Sequence, residues 1–361
     1  MSFKIESPAG REALTEFVLF FDRANASRSA RWPVPLDLHL PILLGESPFC
    51  EGRQIQPFVA RQVGEIVARA VALVDGRYNR HWNEELGHIG WFEALPGTDE
   101  AVKELMNAAC AWLAERGVRA ARTGFCPALM LEFPFAMDAY ETLPPSFVRQ
   151  NPPYYHTMLK RAGFEVEQGW VDYKLEVSPQ LQERWQTSVD RVRQAGYEIV
   201  PLTDLNPGDR AREFADTFND TFKAHWGFVP FSYGEMGLLI AALAETGMLD
   251  TSVVAYRDGK SVGFLLNVPD DPQHAVLAPG RKLDDSEKLN NLGIGVREAG
   301  RGQGVNYAMA GYSYLELARR GWTYLSYTLV RDDNWPSRRT GERLGCQVCA
   351  NYLIYRRNFR R

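Results

Sequence analysis

The sequence predicts an α/β protein made of two tandem copies of one unit. Each copy is a central, mostly antiparallel sheet in a mixed α+β arrangement, flanked by helices. Three observations predict it. Strand-like and helix-like segments alternate along the whole chain instead of segregating. They run twice through the same order: strand pair, strand, long helix, strand, short helix, strand. The two passes also match in residues. VARQVGEIVAR at Val59–Arg69 lies on VAYRDGKSVGF at Val254–Phe264, with turn glycines Gly64 and Gly259 at the same point. Gly163 followed by Tyr173 repeats as Gly345 followed by Tyr355. A repeated order is a stronger sign of internal duplication than any one match. The expected division is residues 1–177, a connecting helix within 178–195, and residues 196–361.

In the first copy, residues 9–22 form a helix, with Leu14, Phe17, Val18 and Phe21 on one side. Residues 28–57 carry several prolines and read as an irregular but apolar stretch folded over a surface or cleft. Gln56 to Val74 is a strand pair turning at Val63-Gly64. Leu86 to Leu95 is a strand. Thr98 to Arg116 is a helix, because Val102, Leu105, Met106, Ala109 and Leu113 repeat at helical spacing. Gly117 ends it as a C′ glycine. Val118 to Thr123 is a strand, residues 144–153 a proline-rich loop, Tyr154 to Ala162 a helix and Phe164 to Leu175 a strand. Arg184 to Gln194 is the connecting helix.

The second copy opens with a strand at Tyr197–Leu202 and helices at Ala211–His225 and Tyr233–Glu245. Thr251–Tyr256 and Ser261–Val268 form a hairpin about Asp258-Gly259. Pro269 to Lys288 is polar and proline-punctuated, hence a loop. A strand, a glycine loop and a helix follow, then a strand at Trp322–Val330, a helix at Trp335–Leu344 and a last strand at Gln347–Tyr355.

Composition narrows the function classes. The chain has 361 residues, 45% apolar and 24% charged, with a net charge of −4, so no nucleic-acid partner is expected. No signal peptide or run of transmembrane length is visible, which makes a cytoplasmic protein without a membrane partner the expectation. The five cysteines suggest no disulfide framework, and the isolated Cys346-x-x-Cys349 does not suggest a metal site. No metal is expected.

The densest chemistry lies at Leu289–Asn306, LNNLGIGVREAGRGQGVN. An apolar strand (Leu292, Ile294, Val296) runs into a loop with Gly300, Gly302 and Gly304, and a helix follows at once. Glycines let backbone N–H groups approach a phosphate with no Cβ in the way. The helix N-terminus adds unpaired donors. The spacing is neither the dinucleotide fingerprint nor a Walker A loop. The first copy has Phe92–Asp99, FEALPGTD, at this point. Its one glycine, missing arginine and acidic side chains (Glu93, Asp99, then Glu100) would repel a pyrophosphate. The first copy therefore reads as degenerate.

Arg301, Gly302, Gln303, Gly304 and Val305 resemble the acyl-CoA loop of the GCN5-related N-acetyltransferase superfamily, Arg/Gln-x-x-Gly-x-Gly/Ala. Asn306 stands where Gly or Ala is usual. Nearly the whole chain is similar to an uncharacterised bacterial group of tandem acetyltransferase-like proteins. Its marks are Tyr78-Asn79-Arg80-His81, Asn151-Pro152-Pro153-Tyr154-Tyr155, Asn219-Asp220 leading to Trp226-Gly227-Phe228-Val229-Pro230, and Asp333-Asn334. The group usually has an NDECG-like run where this chain reads GFCPALMLE at residues 124–132, a departure that suggests a changed first-half cleft.

The resemblance implies a CoA-dependent N-acyltransferase with acetyl-CoA or another acyl-CoA as co-substrate and a small-molecule amine as acceptor, acetyl transfer to a metabolite or amino-acid-like amine being the first expectation. It implies that Ile294, Gly295 and Val296 pair with the pantetheine, that Arg301–Asn306 hold the pyrophosphate and that Asn334 orders the CoA arm. The family's leaving-group tyrosine falls on Gly341, so Tyr327 or Tyr324 is the candidate replacement. The base candidates are Glu287 and His225, with Asp285, Asp332 and Asp333 as rivals. Trp226, Phe228 and Tyr324 are placed on the acceptor side. A non-catalytic binding or scaffold protein stays open, as does acyl or aminoacyl transfer from a carrier, since Fem-type transferases also pair two such domains. A homodimer is also left open.

Overall fold

The structure is a computed structural model that describes residues 2–126 and 132–359. Residues 127–131, part of the run read for a changed first-half cleft, lie outside the described residues.

The first half begins with β1 (Lys4–Glu6) and α1 (Arg11–Ala24), whose Leu14, Phe17, Val18 and Phe20 are buried. The stretch expected to be irregular contains β2 (Ala30–Arg31) and α2 (Leu36–Leu44), a helix with Pro41 inside it. Proline opposes a helix interior by about 3 kcal/mol. Burial of Leu40 and Ile42 offsets it here. β3 (Arg53–Gln62) and β4 (Glu65–Asp75) form the expected hairpin. Val63 and Gly64 both take positive φ, 52° and 84°. That is the backbone of a two-residue hairpin turn, which favours Asn-Gly. Val63 is 94% exposed, so no packing compensates its strain. Val63→Asn should therefore stabilise the protein by about 1 kcal/mol, seen as a higher denaturation midpoint with an unchanged slope.

The chain next forms α3 (Gly76–Trp82), which carries Tyr78, Asn79 and His81. Asp75 caps it, accepting from Arg77 N–H at 2.8 Å and Tyr78 N–H at 3.0 Å. Then come β5 (Leu86–Ala94), α4 (Asp99–Ala114), β6 (Ala120–Thr123), β7 (Phe135–Ala136), α5 (Tyr154–Arg161) and β8 (Glu165–Glu176). α6 (Pro179–Gln194) connects the halves. The second half contains β9 (Tyr197–Pro201), α7 (Arg210–Phe222), α8 (Tyr233–Glu245), β10 (Val253–Arg257), β11 (Lys260–Pro269) and β12 (Val276–Leu277). It ends with β13 (Asn290–Val296), α9 (Val305–Arg319), β14 (Tyr324–Arg331), α10 (Trp335–Leu344) and β15 (Gln347–Asn358). The polar segment 269–288 is not all loop, since β12 reaches back to pair with β2.

The strands pair across the halves. One sheet runs β1-β3-β4-β5-β6-β15-β8-β14, with β7 also on β15, and a second runs β13-β11-β10-β9. The last strand of the second half thus lies between two strands of the first, with Tyr355 opposite Thr123. The last strand of the first half, β8, pairs with β14, with Tyr173 opposite Tyr327. The larger sheet is therefore shared, with β14 and β15 of residues 196–361 built into the strands of residues 1–177. The connecting helix is also structural. Trp185 is fully buried, and a Cβ on Gly311 would come within 3.1 Å of Trp185 Cβ, so α6 and α9 meet closely only because residue 311 has no side chain. α6 thereby braces the helix that follows the glycine loop.

Salt links reinforce the junction. Arg53 and Arg77 of the first half both bind the Glu235 carboxylate at the start of α8, and Arg53 also reaches Asp75 at 2.6 Å. The Arg53, Asp75 and Glu235 side chains are at most 1% exposed. No helix among the described residues is long and apolar enough to cross a membrane.

Candidate active site

β13 is bonded to β11 along one edge, from Asn290 opposite Pro269 to Val296 opposite Gly263. Its other edge faces β14 but shares no backbone ladder with it. Side chains bridge the two instead. Asn290 N–H donates to Ser326 Oγ at 3.3 Å, and Leu292 N–H donates to Thr328 Oγ1 at 2.9 Å. Alternation along a strand turns the Ile294 and Val296 amides the same way as those of Asn290 and Leu292. At this level β14 bulges. Leu329 takes φ 52°, the register shifts between Tyr327 and Val330, and the buried Asp172 carboxylate accepts the Leu329 N–H. A cavity of about 760 Å³ opens between the strands and is lined by Ile294, Gly295, Val296 and Tyr327–Arg331.

The glycine loop borders the same cavity through Gly300, Arg301 and Gly302. Gly302 and Gly304 take φ of 76° and 79°, and a Cβ on either would meet nothing within 4 Å. The positive φ explains the glycine requirement. The empty space shows a loop backbone bare toward its surroundings at the start of a fifteen-residue helix. These features fit a pyrophosphate. Asn306 lines the cavity and donates through Nδ2 to Thr340 Oγ1 at 2.9 Å, tying the start of α9 to α10. Its side chain thus bonds to α10. Asn334 also lines the cavity and caps α10, accepting the Ser337 N–H at 3.4 Å.

Tyr327 and His225 both reach the cavity. Tyr327 packs beside Gly341: a Cβ on that glycine would stand 3.2 Å from its ring. Its hydroxyl lies 2.9 Å from Ser337 Oγ, and burial pushes its pKa up to about 12. His225 Nδ1 lies 3.1 Å from the Trp226 carbonyl. A carbonyl only accepts, so Nδ1 carries the proton and donates, which leaves Nε2 with a free lone pair. Burial, reinforced by the nearby Arg331 charge, holds the His225 pKa below its ordinary value. It is neutral at pH 7 and lies on the cavity wall.

Other candidates fall elsewhere. Glu287 does not line the cavity. Its carboxylate binds Arg281 and accepts N–H bonds from Leu143 and Asp284, each at 3.0 Å. Burial alone would raise its pKa, but these partners outweigh it, and the group stays ionised as a structural anchor. Tyr324 lies at the far end of β14, opposite Glu176, with its ring 5.9 Å from Lys174 Nζ. Gln303, Gly304 and Val305 flank the cavity-lining part of the loop without lining it.

The remaining wall is mostly apolar and comes from both halves. Trp226 and Phe228 belong to it, beside Phe218 and Phe222 of α7. The first half contributes Phe49, Phe125, Phe133, Phe147 and Trp170, which local sequence patterns did not reveal. Phe125 stacks on Trp170 at 5.6 Å between ring centroids, and Trp226 lies 5.5 Å from Phe125. No aspartate or glutamate is among the described residues that line the cavity.

The equivalent region of the first half is filled. β5 and β6 pair in parallel from Leu86 with Ala120 to Ile89 with Thr123, and β5 continues to Ala94. Beyond that point Arg149 binds Glu132, Glu93 at 3.1 Å and the Phe92 carbonyl. The Tyr155 hydroxyl donates to Glu93 at 2.8 Å. Side chains thus occupy the space beside Phe92, Glu93 and Ala94.

No family model matches the chain. Protein YghO of Escherichia coli (strain K12) is 24% identical over 222 residues, covering 59% of this chain and 55% of YghO, so the chain spans about half the length of that relative. Solved structures match over nearly the whole chain. The GCN5-related glucosamine N-acetyltransferase region of a fungal multi-domain GH3 β-N-acetylglucosaminidase gives a TM-score of 0.58 at 16% identity, over 98% of this chain and 38% of that one. A tandem GNAT protein from the clavulanic acid biosynthesis pathway gives 0.56 at 13% identity, over 99% and 98% of the two chains. A GCN5-related N-acetyltransferase from Sphaerobacter thermophilus gives 0.54 at 12%, over 99% and 96%. At these identities the likeness is one of fold. The chain has the GCN5-related N-acetyltransferase fold, built twice.

Proposed function

We propose that the chain is an acyl-CoA-dependent N-acyltransferase whose second half, residues 196–361, binds the donor, while the first half, residues 1–177, is a degenerate copy that supplies part of the wall. One observation carries this reading: a single cavity joins the bare glycine loop, the free edge of β13 and a neutral histidine in an apolar surround. Arg301–Asn306 and Asn334 would hold the CoA phosphates and arm, and the Ile294–Val296 backbone would pair with the pantetheine. The donor supplies an activated acyl group as a thioester. His225 Nε2 takes the proton of the incoming amine. Tyr327, its pKa raised by burial, keeps a proton available near the departing sulfur.

The walls support an apolar acyl chain or apolar acceptor more than a polar metabolite. A polycationic amine would find no carboxylate on the wall and would have to leave water uncompensated. An alkyl or aromatic group gains roughly 0.8 kcal/mol for each methylene buried.

The test is a matrix of acyl-CoAs, from acetyl to palmitoyl, against polar and apolar amines, followed by thiol release. Turnover should favour pairs with one long or aromatic partner. Silence across the matrix, together with no heat of CoA binding by calorimetry, would sink the reading. Within it, Arg301→Ala should weaken CoA about tenfold, or about 1.4 kcal/mol, with the fold intact by circular dichroism.

A further inference from the structure

Residues 132–151 border the cavity and lead into α5. This segment belongs to the first half but is fastened to both. Trp32 Nε1 donates to the Pro144 carbonyl at 2.8 Å, and Arg28 donates to the Tyr140 carbonyl at 3.0 Å. From the other side, Glu287 accepts the Leu143 N–H at 3.0 Å and Asp270 accepts the Ser146 N–H at 2.9 Å. Both carboxylate residues are buried, at 4% and 2% exposure. Asn291, on the cavity wall itself, donates to Ser146 Oγ at 3.4 Å. The segment is a strap pinned against the cleft by the very residue, Glu287, that has no place in the cavity.

Two strap side chains enter the cavity, Phe133 and Phe147. Each is adjacent in sequence to a tethered residue. Phe147 follows Ser146, held by Asp270 and Asn291. Phe133 follows Glu132, whose carboxylate binds Arg149. A ring next to a tethered residue cannot withdraw easily, so it limits the space beside it. β13, β14 and the glycine loop hold the reacting end, while these rings belong to the apolar surround.

We propose that the strap sets the size of the apolar group the cavity accepts, with Phe133 and Phe147 as its specificity-determining side chains. This rests on the acyl-CoA reading of the site. The first half, with its own cleft filled, then acts as a ruler for the second.

The experiment uses the full chain and two probes. The first is the ratio kcat/KM over acyl-CoAs of increasing length. The second is the shift in tryptophan emission on binding straight-chain alcohols, which need no CoA site, since Trp170 and Trp226 line the cavity. Phe147→Ala and Phe133→Ala should move both optima to longer chains, by about fourfold for each added methylene that becomes buried. Phe147→Trp should move them to shorter chains. Phe147→Leu gives the same direction as alanine with less lost volume, so misfolding of the alanine variant does not remove the test. Free CoA should bind all variants equally by calorimetry. Length profiles that stay fixed in folded variants, while CoA still binds, would overturn the ruler. Alcohol profiles that shift in a protein binding no CoA would uphold the ruler and reject the acyl-CoA reading instead.

Discussion

His225→Gln should lower kcat by about 10²- to 10⁴-fold and leave CoA affinity unchanged. Glutamine fills similar space but cannot take a proton at neutral pH. The pH profile distinguishes a base from a packing residue. The His225 pKa is depressed by burial and by Arg331. Its neutral, base-competent form therefore persists above a value lying under the ordinary 6.5 or so. The ratio kcat/KM should be level near pH 7 and fall as pH drops through that depressed value. The glutamine variant should lose this acid limb. A folded variant with full rate, or with the limb intact, would remove His225 from the chemistry. Tyr327→Phe is the natural companion measurement, because its hydroxyl meets Ser337 and not a charged group.

The second large effect is on stability. Glu235→Ala should cost roughly 3–5 kcal/mol, read as a lower denaturation midpoint. Glu235 is the carboxylate to which Arg53 and Arg77 of the other half attach, and it also closes the capping box of α8 by accepting the Ser232 N–H at 2.7 Å. Its loss leaves the buried Arg53 with Asp75 alone as a charged partner. Burial alone would raise the Glu235 pKa, but the bonds from Arg77 and the charge of Arg53 hold it below the ordinary value. A carboxylate with a depressed folded pKa contributes stability above its unfolded pKa of about 4.3 and loses it as pH falls through the folded value. Wild type and Glu235→Ala should therefore converge in strongly acid solution. An alanine variant as stable as wild type at pH 7 would show that the buried pairs add nothing.

Much of the fold was legible because its signals are local. Helical spacing marked α4 and α8, and the turn residues Val63-Gly64 and Asp258-Gly259 marked both hairpins. Two helices escaped for local reasons as well. α2 contains a proline, and α3, GRYNRHW, has no apolar stripe, depending on the Asp75 cap. The exchange of β8 and β15 left no trace, since a strand's sequence records its two faces and not its edge partners. The site divides in the same way. The glycine loop, Ile294–Val296, His225 and Trp226 are contiguous or patterned, and they sit at the cavity. Phe133, Phe147 and Trp170 come from the other half, where each looks like an ordinary core aromatic. Glu287 looked free because its partners Leu143 and Arg281 lie in loops that no periodicity describes.

The strand exchange also governs how the chain can be made. Synthesis runs from the N-terminus at about 5–20 residues per second, so β6 emerges long before β15. Until Tyr355 arrives opposite Thr123, the first sheet has an open edge beside a buried core. β8, meanwhile, waits for β14 on one side and β15 on the other. An unpaired edge is a template for foreign strands. Nascent chains stalled before residue 347 should be good chaperone clients and poor soluble products, even though all of residues 1–177 has been translated. Folding of the first half is thus committed by a strand from the end of the second, and a frameshift just before residue 347 would damage the half encoded first.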